Sequence, residues 1–186
     1  MVLLHTPKGE LGSKVPNFKL MGTDDKVWQL DDFKDKSALL VMFICNHCPY
    51  VKAIQQRLVS DMKVLQLKNI GVVAICANDS NDYPEDDMSH MKEISQKLGF
   101  SFPYLFDETQ EVAKQFGAVC TPDFFGYNSR GELQYRGRLD AFAREARLNG
   151  EKAELVDAML QIAQTGQGPS EQFSSMGCSI KWRIED

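Results

Sequence analysis

Apolar positions along the chain follow two patterns that alternate. Continuous apolar runs of strand length, such as "SALLVMFI" (37–44) and "GVVAICA" (71–77), are typical of strands covered on both faces of a sheet. Between them, apolar residues recur at helical spacing from Pro49 to Leu65, and Gly71 follows within a few residues. The same patterns predict a strand at 103–106 and glycine-terminated helices at 86–99, 109–117 and 153–166.

The alternation of strands and helices predicts βαβ units and a largely parallel sheet. Two hairpins are also predicted. Residues 15–30 form two short strands around a turn at Gly22–Asp25, and residues 123–139 form two strands around a turn at Asn128–Gly131. The sequence contains no internal repeat and no linker between domains.

One domain accounts for this organisation. A chain of 186 residues can bury a sufficient core without disulfide or metal cross-links. We assign residues 1–166 to the folded domain. Residues 167–186 form a C-terminal tail that we expect to pack on the same domain. Large apolar side chains such as Phe173, Ile180 and Trp182 are not typical of a tail that is free in solvent.

Composition narrows the function classes. Hydrophobic residues make up 43% of the chain, charged residues 25%, and the net charge of −5 leaves no basic excess for phosphates, so nucleic acid is not an expected partner. The apolar run Val2–Leu4 is too short for a signal peptide or a membrane span, which predicts a cytoplasmic protein without a membrane partner. Five cysteines, an odd number, favour reactive, metal-binding or buried thiols over a secreted disulfide framework. The oligomeric state stays open.

Two cysteines lie where a buried strand becomes a helix, in "ALLVMFICNHCPYVKAI" (38–54). Cysteines with CxxC spacing at a helix start can close a disulfide with little backbone movement. The helix dipole and the first-turn N–H groups stabilise a thiolate there and lower its pKa from about 8.5 to roughly 3.5–7.5. Cys45 and Cys48 therefore predict thiol–disulfide exchange, in which one cysteine attacks and the other resolves the mixed disulfide.

His47 lies between the two cysteines. When protonated, it would place positive charge beside the sulfur, favour the reduced thiolate and make the disulfide a stronger oxidant. Two other interpretations stay open: half of a metal site, although the chain has no second CxxC, or two buried cysteines without chemistry. The alternative to a redox enzyme is thus a non-catalytic metal carrier or interaction domain, whereas the redox interpretation requires neither metal nor cofactor.

Three segments carry a resemblance to a known family: "GSKVPNFKLMGTDDKVWQLDDFKDKSALLVMFICNHC", "FGAVCTPDFFGYNSRGELQYRGRLD" and "GCSIKW". Together they cover most of the chain and resemble the thioredoxin-like proteins of the alkyl hydroperoxide reductase C/thiol-specific antioxidant class, in particular a peroxiredoxin-like subgroup with a CxxC. The resemblance implies an α/β thioredoxin-like fold, with a central mixed sheet flanked by helices, an N-terminal β-hairpin and a C-terminal tail. It also implies protein or small-molecule disulfides and thiols as substrates, with peroxide as a further candidate.

The resemblance implies two different roles for Cys48. In the thioredoxin pattern, Cys45 matches the nucleophilic first cysteine and Cys48 the resolving one. In the peroxiredoxin pattern PxxxTxxC, Cys48 matches the peroxidatic cysteine, but Val41 and Cys45 stand in place of the proline and threonine, and no arginine lies between Phe116 and Asn128. Without the threonine hydroxyl and the arginine as hydrogen-bond donors, a thiolate reduces peroxide slowly. The leading prediction is therefore a thiol–disulfide oxidoreductase, and the alternative is a thiol peroxidase that uses Cys48.

Further residues are assigned from the same resemblance. In "CTPD", Pro122 resembles the cis-proline beside the CxxC of thioredoxin-like folds, and Thr121 would offer its backbone to a bound peptide or disulfide. Cys120 is a candidate redox thiol because it precedes Pro122 by two residues. Cys178 is another, because a docked tail would bring it near the pair. Buried packing is the alternative for both.

Two predictions concern residues outside these motifs. The acidic run "DSNDYPEDDM" (79–88) predicts a solvated loop that leads to a helix N-terminus, where carboxylates are favoured. Compared with thioredoxins, Leu39 replaces a buried acid upstream of the pair. Cys76 lies inside the buried run at 71–77 and is predicted to be a core residue without chemistry.

Overall fold

The computed structural model describes residues 3–148 and 150–184, and this part of the chain contains ten strands and four α-helices. The strands are β1 Leu3–His5, β2 Lys19–Gly22, β3 Val27–Gln29, β4 Ala38–Phe43, β5 Ile70–Cys76, β6 Tyr104–Phe106, β7 Cys120–Thr121, β8 Asp123–Asn128, β9 Leu133–Gly137 and β10 Met176–Ser179. The helices are α1 Pro49–Leu67, α2 Met88–Leu98, α3 Glu111–Phe116 and α4 Glu154–Thr165. None of the helices in the described ranges is both long enough and apolar enough to cross a membrane.

Seven strands form the central sheet, in the order β3-β2-β6-β5-β4-β8-β9. Only the β4–β5 and β5–β6 pairs are parallel. The pairs β2–β3, β2–β6, β4–β8 and β8–β9 are antiparallel, so the prediction of a largely parallel sheet is wrong and the mixed sheet implied by the family resemblance is present. Both predicted hairpins are confirmed, as β2–β3 and β8–β9, and they are two of the four antiparallel pairs in this sheet.

Strand β4 is an interior strand between β5 and β8, and all six of its residues are buried. Successive side chains of a strand point to opposite faces. Leu40 and Met42 belong to the core cluster that includes α1 and α4, whereas Val41 and Phe43 belong to the cluster on the other face, which includes Phe116 of α3. Each such side chain contributes about 1.5–3 kcal/mol by leaving water, so β4 fixes the position of the turn that follows it.

The turn from β4 into α1 contains the CNHC motif. Cys48 is the N-cap of α1 and Pro49 is its first residue, where the missing N–H of proline costs no helical hydrogen bond. Because β4 and β5 are parallel neighbours, the segment that follows β5 leaves the sheet at the same edge as the CNHC turn.

A second, three-stranded sheet was not predicted. Its order is β1-β10-β7, and all of its pairs are antiparallel. These strands have two to four residues each, too few for an apolar periodicity, and their pairing depends on partners far away in the sequence. Because β10 pairs with β1 and β7, the segment after residue 166 is hydrogen-bonded to the rest of the fold. The division of the chain into domain and tail at residue 166 stays a prediction.

A buried ion pair fixes the segment that follows Pro122. Arg136 donates to the carboxylate of Asp123 at 2.9 Å, with side-chain exposures of 8% and 0%. The same guanidinium donates to the carbonyl of Gly117 at 2.8 Å and lies over the ring of Phe125, 4.5 Å from its centroid. Strand β9 is thereby tied to the start of β8, next to the Thr121–Pro122 segment.

Replacing Arg136 should therefore destabilise the protein strongly. We expect Arg136→Met to lower the free energy of unfolding by about 3–5 kcal/mol, because it leaves the buried Asp123 carboxylate without its charged partner. Urea denaturation followed by circular dichroism measures the change. Arg130→Met is the matched control, since the pair of Arg130 with Glu132 lies at the surface and its loss should cost much less. Equal losses in the two variants would show that the buried pair does not anchor this segment.

Candidate active site

The two cysteines of the CNHC motif lie at the junction of β4 and α1 and are almost completely buried. Cys45 is 2% exposed and Cys48 is 0% exposed. The two thiols are neighbours, and each is the largest cause of the shift in the other's pKa. The predicted pair is therefore brought together by the strand-to-helix turn, and both sulfurs are removed from solvent.

Thr121 contacts both sulfurs. Its Oγ1 lies 3.2 Å from Cys45 Sγ, and its carbonyl oxygen lies 3.2 Å from Cys48 Sγ. The Thr121–Pro122 peptide bond is cis, as the family resemblance implies. Thr121 and Pro122 thus lie directly beside the pair, where the sequence prediction put them.

The surroundings of Cys48 favour its thiolate. Its pKa is lowered chiefly because the Cys45 thiol acts as a hydrogen-bond donor toward it, and burial only partly opposes this shift. The Cys178 thiol and the backbone N–H groups of Val51 and Cys178 lower it further. On ionisation Cys48 loses its bond to the Thr121 carbonyl and becomes an acceptor for these donors.

The surroundings of Cys45 have the opposite effect. Its pKa is raised by the hydrogen bond to Cys48, by burial and by the nearby negative charge of Asp86, while Thr121 opposes the shift weakly. The thioredoxin pattern predicts Cys45 as the nucleophile. The electrostatics of this site instead favour a thiolate on Cys48, with Cys45 as the protonated partner.

Asp86 is a site residue that the sequence prediction missed. The acidic run was expected to be solvated, but Asp86 is 0% exposed because a 3₁₀ turn at Pro84–Asp86 directs it inward. Its Oδ1 accepts from the backbone N–H of Asn46 at 2.7 Å, and its Oδ2 accepts from Asn78 Nδ2 at 2.7 Å. Although burial raises the pKa of Asp86, these bonds and one from His47 lower it overall. The run follows β5, whose end adjoins the CNHC turn, and this was the available signal.

Asn46 anchors the turn on a second side. Its Nδ2 donates to the carbonyl of Glu85 at 2.8 Å, and its Oδ1 accepts from the hydroxyl of Tyr104 at 3.1 Å. All polar groups of the Asn46 side chain therefore have partners on β6 or in the loop that carries Asp86. The residues between the two cysteines therefore fix the conformation of the turn as well as influence the chemistry of the pair.

His47 is bound to Asp86. Its Nδ1 lies 2.5 Å from Asp86 Oδ2, which makes Nδ1–H the donor to an ionised carboxylate, and its ring stacks on Tyr83 with centroids 5.1 Å apart. The Nε2 atom is buried without a hydrogen-bond partner among the described residues. Positive charge on His47 would thus act next to the Asp86 carboxylate, which opposes the effect on the sulfurs that the sequence suggests.

The same residues form the candidate metal cluster. Ligand atoms of Cys45, His47 and Asp86 lie within 4.8 Å of one another. A cation would compete with the hydrogen bonds that Asp86 already accepts from Asn46, His47 and Asn78. The donor set is chemically suitable for a soft cation, but its carboxylate is committed to holding the turn.

The remaining cysteines occupy different surroundings. Cys178 Sγ lies 2.9 Å from Cys48 Sγ, so the tail does bring this thiol to the pair. Cys120 is buried on β7, donates to the carbonyl of Pro122 at 3.9 Å, and has a pKa raised to about 12, chiefly by burial. Its redox role stays a prediction. Cys76 is buried in β5, and burial strongly raises its pKa, consistent with a core residue.

A cavity of about 160 Å³ opens beside Pro122. Its walls are mainly apolar and include Tyr50 from the first turn of α1, Ile54, Phe124 and Leu139. Arg57 at its rim is paired with Asp140, at 2.9 Å, so the cavity carries little free charge there. It provides an apolar recess next to the cis-proline.

Comparison with known proteins identifies the family. Residues 11–136 match the model of the AhpC/TSA family. The thiol-disulfide oxidoreductase ResA of Bacillus thuringiensis subsp. konkukian is 24% identical over 132 residues, covering 68% of this chain and 68% of that protein. The putative peroxiredoxin bcp of Coxiella burnetii is 25% identical over 155 residues, covering 79% of this chain and 96% of that protein.

Two solved structures place the fold. An uncharacterized conserved protein from Geobacillus kaustophilus is 39% identical with a TM-score of 0.93, covering 100% of this chain and 99% of that chain. The thioredoxin domain of a thiol-disulfide oxidoreductase from Bacteroides vulgatus is 15% identical with a TM-score of 0.58, covering 69% of this chain and 89% of that chain, which shows a shared fold alone. The protein thus has a thioredoxin-like fold with a CxxC at the strand-to-helix turn, and it belongs to the AhpC/TSA family.

Proposed function

We propose that the protein is a thiol–disulfide oxidoreductase in which Cys45 and Cys48 cycle between a dithiol and a disulfide. The observation that carries this proposal is the CxxC pair at the start of α1, whose two sulfurs both contact Thr121 beside the cis-proline. The surroundings raise the pKa of Cys45 and lower that of Cys48, which favours a thiolate on Cys48. A reactive thiolate beside a second thiol is the requirement for exchange with a disulfide.

The reaction follows from the two protonation states. The Cys48 thiolate attacks one sulfur of a substrate disulfide, forms a mixed disulfide and releases the other sulfur as a thiolate that takes up a proton. Cys45 then loses its proton and attacks Cys48 Sγ, which forms the Cys45–Cys48 disulfide and releases the second substrate thiol. The pair is oxidised by two electrons and the substrate is reduced by two, and the same steps run in reverse when the pair acts as oxidant.

Disulfides and thiols of proteins or small molecules are the substrate class that this site supports. The ResA relative is named as a thiol–disulfide oxidoreductase, and relatives within the same family support shared chemistry. The apolar cavity beside Pro122 would accommodate an apolar group of such a substrate next to the cis-proline.

A thiol peroxidase that uses Cys48 is the second candidate. The favoured Cys48 thiolate supports it, and so does a relative named as a putative peroxiredoxin. Against it stand Val41 and Cys45 at positions where peroxiredoxins have proline and threonine. Arg136, which lies beyond the Phe116–Asn128 segment, donates to Asp123 and to the Gly117 carbonyl. The site therefore has few donors that could polarise the O–O bond of a peroxide.

A redox titration tests the proposed function. In glutathione buffers of increasing ratio of oxidised to reduced form, we expect a reversible Cys45–Cys48 disulfide, located by mass spectrometry of alkylated peptides. Because the thiolate stabilises the reduced form, the potential should be less negative than the value of about −270 mV for thioredoxin.

Cys45→Ser and Cys48→Ser are the controls, and each should abolish this disulfide. Absence of the disulfide in the wild-type protein, together with peroxide-dependent turnover with a thiol donor, would refute the oxidoreductase and favour the peroxidase.

The protonation states predict a specific pH dependence. Thiolate absorbance of the reduced protein should rise, as pH increases, well below the pKa of about 8.5 of an unperturbed cysteine. Cys48→Ser should remove this early rise. Cys45→Ala removes the main donor and should move it to higher pH, whereas Cys45→Ser keeps a hydroxyl donor and should move it less. An early rise that survives in Cys48→Ser would show that Cys45 holds the thiolate.

Asp86 predicts the sign of a shift in redox potential. Its negative charge lies close enough to the pair to raise the pKa of Cys45, and it would oppose a thiolate on Cys48 in the same way. Asp86→Asn should therefore stabilise the reduced thiolate form and make the potential less negative, by on the order of 30 mV for each unit by which the pKa of Cys48 falls. His47→Gln leaves the Asp86 charge without its partner and should shift the potential in the opposite direction.

Asp87→Asn is the matched control, because Asp87 is the exposed neighbouring carboxylate at the N-cap of α2 and should leave the potential unchanged. Equal shifts in Asp86→Asn and Asp87→Asn would contradict a direct electrostatic role for Asp86.

A further inference from the structure

The backbone beside the pair is already occupied by a strand of the same chain. Thr121 was expected to offer its backbone to a bound peptide. In the structure β10 pairs antiparallel with β7, so that Cys178 lies opposite Thr121 and Ser179 lies opposite Cys120. Strand β10 therefore takes the place that an added substrate strand would take.

Gly177 permits this close approach. A Cβ atom at Gly177 would lie 1.9 Å from the carbonyl oxygen of Thr121 and 3.1 Å from Cδ of Pro122. Any larger residue would separate β10 from β7. The glycine in "GCSIKW" thus allows the residue that follows it, Cys178, to reach the active pair.

The two sulfurs lie in direct contact. Cys178 Sγ is 2.9 Å from Cys48 Sγ, and both residues are buried. Backbone pairing on both sides holds β10 in this register, with Leu3 of β1 opposite Cys178 on one side and Thr121 on the other. Beyond the strand, the N–H of Ile180 donates to the Val119 carbonyl at 3.1 Å. The contact is a property of the sheet and not of one flexible side chain.

We propose that Cys178 is a second resolving cysteine, which exchanges with Cys45 for a disulfide bond to Cys48. The proposal rests on the proposed redox function of the pair. Cys178 attacks Cys48 Sγ of the Cys45–Cys48 disulfide, the Cys48–Cys178 bond forms, and the Cys45–Cys48 bond breaks. Cys45 leaves with the electron pair and takes up the proton that Cys178 gives up, so the exchange consumes no oxidant.

The protonation states of the three thiols fit this exchange. The pKa of Cys178 is raised by burial and by the hydrogen bond to Cys48, and the pKa of Cys45 is raised as well. One protonated thiol therefore replaces another, and no additional charge is buried by the exchange. Of the three thiols, Cys48 is the one whose pKa is lowered, and its sulfur contacts that of Cys178.

The exchange would have a structural consequence. A disulfide between Cys48 and Cys178 joins β10 covalently to the start of α1 and keeps the backbone edge of Thr121 covered. A substrate peptide that needs this edge would find it open only in the states in which Cys178 is reduced. The same sulfur that resolves Cys48 thus controls access to the site.

Disulfide mapping of the full-length chain tests the exchange. Each variant is treated with oxidised glutathione, quenched with acid, alkylated and digested without reduction. We expect both the Cys45–Cys48 and the Cys48–Cys178 disulfide in the wild type, only Cys48–Cys178 in Cys45→Ser, and only Cys45–Cys48 in Cys178→Ser. Cys76→Ser is the matched control, a buried thiol on β5 bonded to a backbone carbonyl, and should give the wild-type pattern.

A rate measurement makes the test independent of the fold of Cys178→Ser alone. In Cys45→Ser, release of glutathione from its mixed disulfide with Cys48 should be about tenfold or more faster than in Cys45→Ser combined with Cys178→Ala, because the attacking thiol is already positioned. Cys45→Ser keeps Cys178 and β10 unchanged.

The outcomes separate the two proposals. If the wild type forms Cys45–Cys48 while Cys45→Ser accumulates only the glutathione mixed disulfide, the exchange is refuted and the oxidoreductase stands. If the wild type forms Cys48–Cys178 but never Cys45–Cys48, the role of Cys45 in the proposed function and its exchange with Cys178 are both refuted, and Cys178 stands as the resolving cysteine of Cys48. If neither disulfide forms in the wild type, both proposals fail.

Discussion

Burial of negative charge is the constraint on which this site depends. Cys48 and Asp86 are both buried, and an uncompensated negative charge on either side chain is costly in such an environment. Each therefore has its own set of donors: thiols and backbone N–H groups for Cys48, and backbone, imidazole and amide groups for Asp86. The donors to Asp86 include the backbone of the CNHC turn, so compensation of the carboxylate also fixes the positions of the sulfurs.

The topology collects these donors from distant parts of the sequence. Parallel pairing of β4 with β5 brings the loop with Asp86 against the CNHC turn, because both segments leave the sheet at one edge. Antiparallel pairing of β7 with β10 brings Thr121 and Cys178 to the other side of the sulfurs. One sheet thus sets the charge beside the pair, and the other sets its additional thiol.

The sequence predicts what local patterns determine. Strand β4 and helix α1 were predicted because a run buried on both faces and a helical period need no distant partner, and the CxxC followed from their junction. Strand β10 could not be predicted, since its pairing depends on β1 and β7. The same reason explains why Cys48 could not be preferred over Cys45 as the thiolate: one of its donors, Cys178, lies 130 residues away in the sequence. Asp86 was obscured by the polar residues around it.

Burial of the pair also determines how a substrate can reach it. Opening of the CNHC turn would break the bonds to Asp86 and expose a carboxylate that has lost its partners, which is costly. Strand β10 has four residues, and β7, its partner beside the sulfurs, has two, so only a few backbone bonds hold that edge. Short, weakly paired segments open locally at low free energy. A peptide that took the place of β10 at this edge would recover the backbone bonds that the displacement of the strand breaks.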